Sequence, residues 1–270
     1  MTEYKSTDLE ARLAHLKTLQ AAARLITLPL FHDGMSVVNK AENGYDPVTN
    51  ADMDGERKLR ALIQHEFPND HIAGEEFDDL IGSNDWLWTL DPIDGTRAFV
   101  AGIPVWSTLI ALSFQGRPVL GLIDHPALDL SFWGTPDGAW REDMSGKSPL
   151  SVKPCADLQG AILGCTEPLS MLNAGELAAY NVIRRGVRFS RLGLDAYAYG
   201  MIASGRMDIV IESGLKPCDV RALIPIVEGA GGRMTNWHGG SCIDGGQVVA
   251  VGDVALLPEL YTYLGRAMTP

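Results

Sequence analysis

Leu9, Leu13, Leu16 and Ala23 recur at helical spacing behind Thr7-Asp8-Leu9-Glu10, which has the form of a capping box. This pattern predicts an amphipathic first helix ended by Pro29. A second helix is predicted to carry Leu59, Leu62, Ile63 and Phe67, capped by Thr49 or Asn50 and stopped by Pro68-Asn69-Asp70. Asp52 falls in its first turn, where a negative charge suits the helix dipole. His71-Ile72-Ala73 reads as a short strand, followed by Gly74 and the adjacent acids Glu75 and Glu76. Trp86-Leu87-Trp88-Thr89-Leu90 is an apolar run with the character of a buried strand, and residues 105–114 are apolar on both faces, as a central strand is. Further strands are predicted over 119–123 and 128–133.

Beyond about Leu150 the texture changes to alternating strands and helices. Strands are expected at 160–164, 187–189, 208–212 and 248–251, and helices at 176–185, 193–204, 218–230 and 256–264. The 193–204 helix should begin near Asp195, and Pro225 should kink the 218–230 helix, which has Asp219 in its first turn. The softest boundary lies between about Arg141 and Ser151. It divides one compact unit, 1–270, into an N-terminal half, 1–145, and a C-terminal half, 146–270.

Composition narrows the function. At 46% hydrophobic and 21% charged the chain has the balance of an ordinary soluble globular protein. A formal charge of −12 argues against a nucleic-acid backbone or an anionic membrane as its partner. Residues 1–30 are interrupted by charges, unlike a secretory leader, and no apolar run is long enough to span a bilayer. Cys155, Cys165, Cys218 and Cys242 are scattered, which suggests reduced thiols and a cytoplasmic setting. The six histidines show no HxxxH or HxH spacing, so zinc-hydrolase chemistry is not indicated. Trp86, Trp88, Trp106, Trp133, Met201 and Met207 read as packing residues.

The chemistry concentrates at Asp91-Pro92-Ile93-Asp94-Gly95-Thr96, where the apolar run ends. Carboxylates at a strand edge can hold a hard cation through oxygen, and a Gly-Thr that opens a helix offers backbone N–H groups to an anion. Asp-Pro and Asp-Gly are also ordinary turn dipeptides, so this stretch alone leaves both readings open. Other acids near strand ends or helix starts are Asp52, Glu75, Glu76, Asp208, Glu212 and Asp219. A carboxylate-rich, histidine-free set suits magnesium, manganese or calcium, because gathered like charges need a cation.

The segments 46–52 (DPVTNAD), 74–76 (GEE) and 91–96 (DPIDGT), with Cys218-Asp219-Val220 and 225–232 (PIVEGAGG), together resemble the inositol monophosphatase family. The resemblance implies a metal-dependent phosphomonoesterase with a layered α-β-α-β-α fold, working as a homodimer on a small-molecule phosphate monoester. Two or three Mg²⁺ ions are implied, with Mn²⁺ a possible substitute. Glu75, Asp91 and the carbonyl of Ile93 would hold the first ion, Asp91, Asp94 and Asp219 the second, and Glu76 a weaker third. The Gly95 and Thr96 amides would bind phosphate, while Thr96, Glu75 and Asp52 would orient and deprotonate water. Remaining substrate contacts would come from Asp94, Arg191, Gly193, Leu194, Asp195, Glu212 and Asp219.

Within the family, residues 191–200 (RLGLDAYAYG), 212–220 (ESGLKPCDV) and 104–123 look like the histidinol-phosphate phosphatase branch. Inositol phosphatases commonly carry a small uncharged residue where Asp195 stands. A cationic alcohol would suit Asp195 and Glu212, where a polyol needs only hydrogen bonds. Glu212 also matches a polyol-contacting acid, and Asp195 could instead be a helix N-terminal acid. Cys218 departs from the aromatic residue common in the family. An inositol or sugar phosphatase is the alternative, and a non-catalytic regulatory protein of the same fold a more remote one.

Overall fold

The computed structural model describes residues 4–33, 36–39 and 47–265, so Asp46 of the 46–52 motif lies outside the described residues. Helix α1 spans Ser6–His32 and runs through Pro29 rather than ending there. The bond that Pro29 cannot make would go to the Leu25 carbonyl, on a turn whose side chain is 78% exposed. Asp33 N–H closes onto the Pro29 carbonyl at 2.9 Å. The Thr7–Glu10 capping box does not form. Lys5 is the N-cap residue, and the Ser6 hydroxyl donates to Glu10 at 2.9 Å.

Strands β1 (Val37–Asn39) and β2 (Pro47–Thr49) form a small antiparallel pair leading into α2 (Asn50–Glu66). Then follow β3 (His71–Gly74), β4 (Trp86–Asp94), the short α3 (Thr96–Val100), β5 (Ser107–Phe114), β6 (Arg117–His125) and β7 (Leu130–Thr135). Two strands unforeseen in the sequence, β8 (Gly138–Asp143) and β9 (Gly146–Pro149), cross the soft boundary and complete a seven-stranded sheet in sequence order. Only β3 and β4 are parallel in it.

The rest of the chain contributes β10 (Ile162–Cys165), α4 (Pro168–Met171), α5 (Ala174–Gly186), β11 (Phe189–Leu192), α6 (Tyr197–Ala203) and β12 (Ile209–Leu215). After these come α7 (Pro217–Arg221), α8 (Leu223–Gly229), β13 (Arg233–Thr235), β14 (Gly246–Val251) and α9 (Leu257–Leu264). The expected 218–230 helix is thus two helices joined at Ala222. The break falls where the Pro225 ring would meet the Arg221 carbonyl four residues earlier. The second sheet has the order β11-β10-β12-β14-β13.

Strand alternation sets the layers. In β5, Ile110 and Leu112 pack with Leu16, Leu19, Leu59 and Ile63 of α1 and α2. Leu109 and Ala111 face the other way, onto Tyr199, Ile202, Val220 and Ile226 of α6–α8. Val210, Val248 and Ala250 of the second sheet close on those same helices, while Ile209, Ile211, Val249 and Val251 turn outward under α5 and α9. Each such fully buried aliphatic side chain stabilises the fold by about 1.5–3 kcal/mol. The order is therefore helix, sheet, helix, sheet, helix. The middle helices lie close on the first sheet because Gly121 and Gly134 have no side chains. A Cβ on Gly121 would stand 2.0 Å from the Ala222 carbonyl oxygen.

Candidate active site

The site is built where β4 ends. Residues three apart on a regular strand face opposite sides, yet Asp91 and Asp94 meet in one cluster. The register with β5 shifts between them, at Pro92, which has no N–H to donate. The kink is pinned by Ile93 N–H to Asp91 Oδ1 at 3.0 Å and by the Thr108 hydroxyl to the Pro92 carbonyl at 2.8 Å. Gly95 then takes a left-handed conformation, φ +78°, as the N-cap of α3, and the Thr96 hydroxyl donates to the Ile93 carbonyl at 3.1 Å.

Asp219 reaches the cluster from α7, where its carboxylate accepts the Lys216 N–H at 2.7 Å. One oxygen from each of Asp91, Asp94 and Asp219 lies within 4.8 Å of the others. Glu75, in the segment after β3, joins Asp91 and Cys218 in a second group of the same size. Asp94 is fixed by Ser107 Oγ at 3.1 Å and Ala196 N–H at 3.0 Å. Asp52 caps α2, accepting the Thr49 N–H at 2.7 Å and its hydroxyl at 2.6 Å, and its charge acts on Asp91. Glu76, half-buried, donates its N–H to Glu56 at 2.8 Å and acts by charge on Asp52.

Burial, then the charges of Glu75, Asp94 and Asp219, push the Asp91 carboxyl well above the usual carboxylate range. Asp94 is raised by burial and by Asp195 and Asp219, and Asp219 chiefly by burial. Burial lifts Asp52 to about 6 against the Thr49 hydrogen bonds. The Cys218 thiol is likewise raised, by burial and then by the charges of Asp91, Asp219 and Glu75. Among the described residues no arginine or lysine pairs with Asp91 or Asp94. Buried, mutually repelling oxygen donors of this kind fit a divalent cation, which would relieve both the repulsion and the desolvation.

Beside the acids opens a cleft of about 590 Å³, lined on one wall by Gly95, Thr96, Arg97 and Ile103 and on the other by Thr166, Glu167, Gly193, Asp195 and Ser213–Leu215, with Asp219 at its base. Asp195 is left-handed at φ +46°, a conformation an Asp tolerates better than most residues. Its carboxyl carbon stands 3.0 Å from where a Cβ on Gly95 would be. Burial raises it to about 6, with Arg97 opposing. The helix expected from Asp195 starts two residues later, at Tyr197; Asp195 lies in the turn that leads into it, its carbonyl accepting the Ala198 N–H at 3.2 Å, and lines the cleft.

The other expected contacts are placed differently. Glu212 is 2% exposed and lies behind the cleft, held by Thr166 N–H at 3.0 Å, the Thr166 hydroxyl at 2.5 Å and the Tyr199 hydroxyl at 2.8 Å. Leu194 packs against the core between the sheets. Arg191 is exposed on β11, its guanidinium 5.7 Å from the Phe189 ring centre, and it does not line the cleft. Asp208 is remote from the cluster, accepting the Ile162 N–H at 2.8 Å and pairing with Lys153 at 3.5 Å. Sequence reasoning missed Thr166, Glu167, Ser213 and Lys216. Lys216 ion-pairs with Glu75 at 2.7 Å. Only its place three residues before Asp219 could have drawn notice to it.

The kinked strand end, the converging carboxylates and the adjoining cleft define an acidic centre suited to a cation and a small polar ligand. The chain is similar to the chloroplastic bifunctional phosphatase IMPL2 of Arabidopsis thaliana, 39% identical over 240 residues, covering 88% of this chain and 68% of that protein. It is similar also to a histidinol-phosphatase of Chlorobaculum parvum, 34% identical over 92% of this chain and 94% of that one. An inositol monophosphatase structure from Zymomonas mobilis superposes with a TM-score of 0.83 at 36% identity, covering 97% of this chain and all of that one. Residues 8–267 match the inositol monophosphatase family as a whole, and this chain belongs to that family of phosphatases. The four cysteines are free and buried, and among the described residues no helix is long and apolar enough to cross a membrane.

Proposed function

We propose that the chain is a Mg²⁺-dependent phosphomonoesterase that hydrolyses L-histidinol phosphate. The observation that carries the substrate reading is Asp195, a carboxylate in the cleft wall against Gly95, within reach of any ester whose phosphate rests on the Gly95–Thr96 turn. Glu167 lines the same cleft, so the wall offers two acids to an alcohol bearing an ammonium and an imidazole. The similarity to histidinol-phosphatases points the same way.

Glu75, Asp91, Asp94 and Asp219, with the Ile93 carbonyl, would hold the ions, and Glu76 a weaker third. Bound Mg²⁺ would lower the pKa of water and neutralise charge developing on the leaving oxygen. The chain's own groups do the rest. The Thr96 hydroxyl donates its hydrogen bond to the Ile93 carbonyl, so its lone pairs are free to accept from a water and orient it. Glu75 is placed to receive that water's proton, and Asp52, buried beside Asp91, is a second acceptor. Gly95 and Thr96 seat the phosphate, and Asp195 and Glu167 hold the alcohol. A homodimer belongs to the same proposal and is read by light scattering.

The second reading, an inositol or other polyol phosphate phosphatase, is favoured by the 36% identical Zymomonas mobilis structure. Glu212, the acid it would share, is engaged by Thr166 and Tyr199 behind the cleft. Steady-state kinetics on purified protein decide between the two. We expect kcat/KM for L-histidinol phosphate to exceed that for myo-inositol 1-phosphate by at least about a hundredfold, because a buried charge left unpaired rejects the wrong alcohol. Equal rates, or a preference for inositol, would rule the histidinol reading out.

A further inference from the structure

Cys218 is the second residue of α7, and its side chain is buried. Its Sγ forms a triangle with carboxylate oxygens of Glu75 and Asp91, each within 4.8 Å of the others. The three come from separate elements: the segment after β3, the end of β4, and α7. Asp91 is 2% exposed, and its only hydrogen bond among the described residues brings the Ile93 N–H to Oδ1, which leaves Oδ2 without a donor. The thiol's own hydrogen bond goes to Asp219 at 3.5 Å. Lys216 occupies Oε1 of Glu75 and leaves the other oxygen available.

Donors about 2.0–2.3 Å from one zinc-like ion stand within roughly 4.6 Å of each other, so these three atoms can share an ion after small side-chain adjustments. The set is mixed. Two hard carboxylates alone suit Mg²⁺, whereas a thiolate selects softer ions. We propose that Glu75, Asp91 and Cys218 form a sulfur-containing subsite that takes a thiophilic divalent cation, of the zinc or cadmium class, in preference to Mg²⁺. On binding, the S–H bond breaks, the proton leaves to solvent and a sulfur–metal bond forms, with no change of oxidation state. The subsite shares Glu75 and Asp91 with the proposed Mg²⁺ site, so the two kinds of cation would compete for it whichever ester is hydrolysed.

The test titrates chelator-stripped full-length protein with Cd²⁺ in excess Mg²⁺ and follows the thiolate-to-cadmium charge-transfer absorption. The expected result is a band that saturates at one equivalent, survives Cys155→Ser, Cys165→Ser and Cys242→Ser, and is lost in Cys218→Ser. X-ray absorption on the Cd²⁺-loaded wild type should show one sulfur among oxygen neighbours, a readout that needs no variant to fold. Absence of the band, its persistence in Cys218→Ser, or an oxygen-only shell would overturn the proposal.

Discussion

Buried carboxylates lie at both ends of β4, and their surroundings differ. At its start, Asp70 is 1% exposed and receives Arg12 Nε at 2.9 Å and Nη2 at 2.6 Å, Asn84 at 2.7 Å and the Trp88 indole N–H at 2.9 Å. At its end, Asp91 and Asp94 sit with Asp219 and Glu75 and, among the described residues, have no arginine or lysine of their own and are satisfied only by a few N–H and hydroxyl donors. The first arrangement is neutralised permanently by one covalently attached cation, Arg12. The second is left short of positive charge, which is the condition for holding an exchangeable one. Burial of an acid therefore says little about its role; the identity of its donors separates structural from functional carboxylates.

Asp94→Asn tests this contrast most severely. Several kcal/mol of transition-state stabilisation should be lost, lowering turnover by about a thousandfold. In chelator the same variant should melt a few degrees higher than wild type, about 2–4 °C for each kcal/mol of repulsion relieved. The Asn oxygen can still accept the Ala196 N–H. A lower melting point in chelator would show that the acids at this end are not in net repulsion.

Arg12→Met probes the other end. Removing one partner of a buried ion pair costs about 3–5 kcal/mol, read as a lower unfolding free energy in urea. Arg12 also lies over the Phe67 and Trp86 rings, 4.6 and 4.4 Å from their centres, and a Met retains part of that packing. Turnover of the folded variant should be nearly that of wild type. A loss below about 1 kcal/mol would remove the distinction drawn for Asp70.

Glu212 is intermediate, a buried acid held by hydroxyls and an amide without a cation, and its effect should be the smallest. Burial lifts its carboxyl from the ordinary 4.5 to about 7, opposed by the Thr166 and Tyr199 hydrogen bonds. A raised folded-state pKa means that the native form binds the extra proton between those values. The resulting stability is present below pH 4.5 and lost as pH rises through 7. Glu212→Gln should therefore flatten the fall of stability across this window by about 1–3 kcal/mol. Parallel stability–pH curves for the two proteins would contradict this placement of Glu212.

Much of this was legible in the chain because strong local signals coincide with the site. The apolar run before Asp91 marked β4, and Thr49 with Asp52 marked the start of α2, where they do form a capping box. The β8–β9 hairpin was not legible: Gly146–Pro149 is exposed throughout and carries no apolar alternation to read. The cleft's far wall was legible only in part. Thr166 meets Glu212 across the parallel β10–β12 pair, 46 residues apart in the chain, and no local pattern encodes that encounter. Arg191 is the converse case. It is close in sequence to Gly193 and Asp195, but it stands exposed on the edge strand β11 and is not among the residues that line the cleft.

The hydrogen bond from the Ala196 backbone to Asp94 ties the turn that carries Asp195, the proposed alcohol contact, to the carboxylates proposed to hold the metal. That tether uses main-chain atoms, so it is indifferent to which side chain stands at position 195. Evolution could then exchange one residue there, and with it the preferred alcohol, while the hydrolytic apparatus stayed in register.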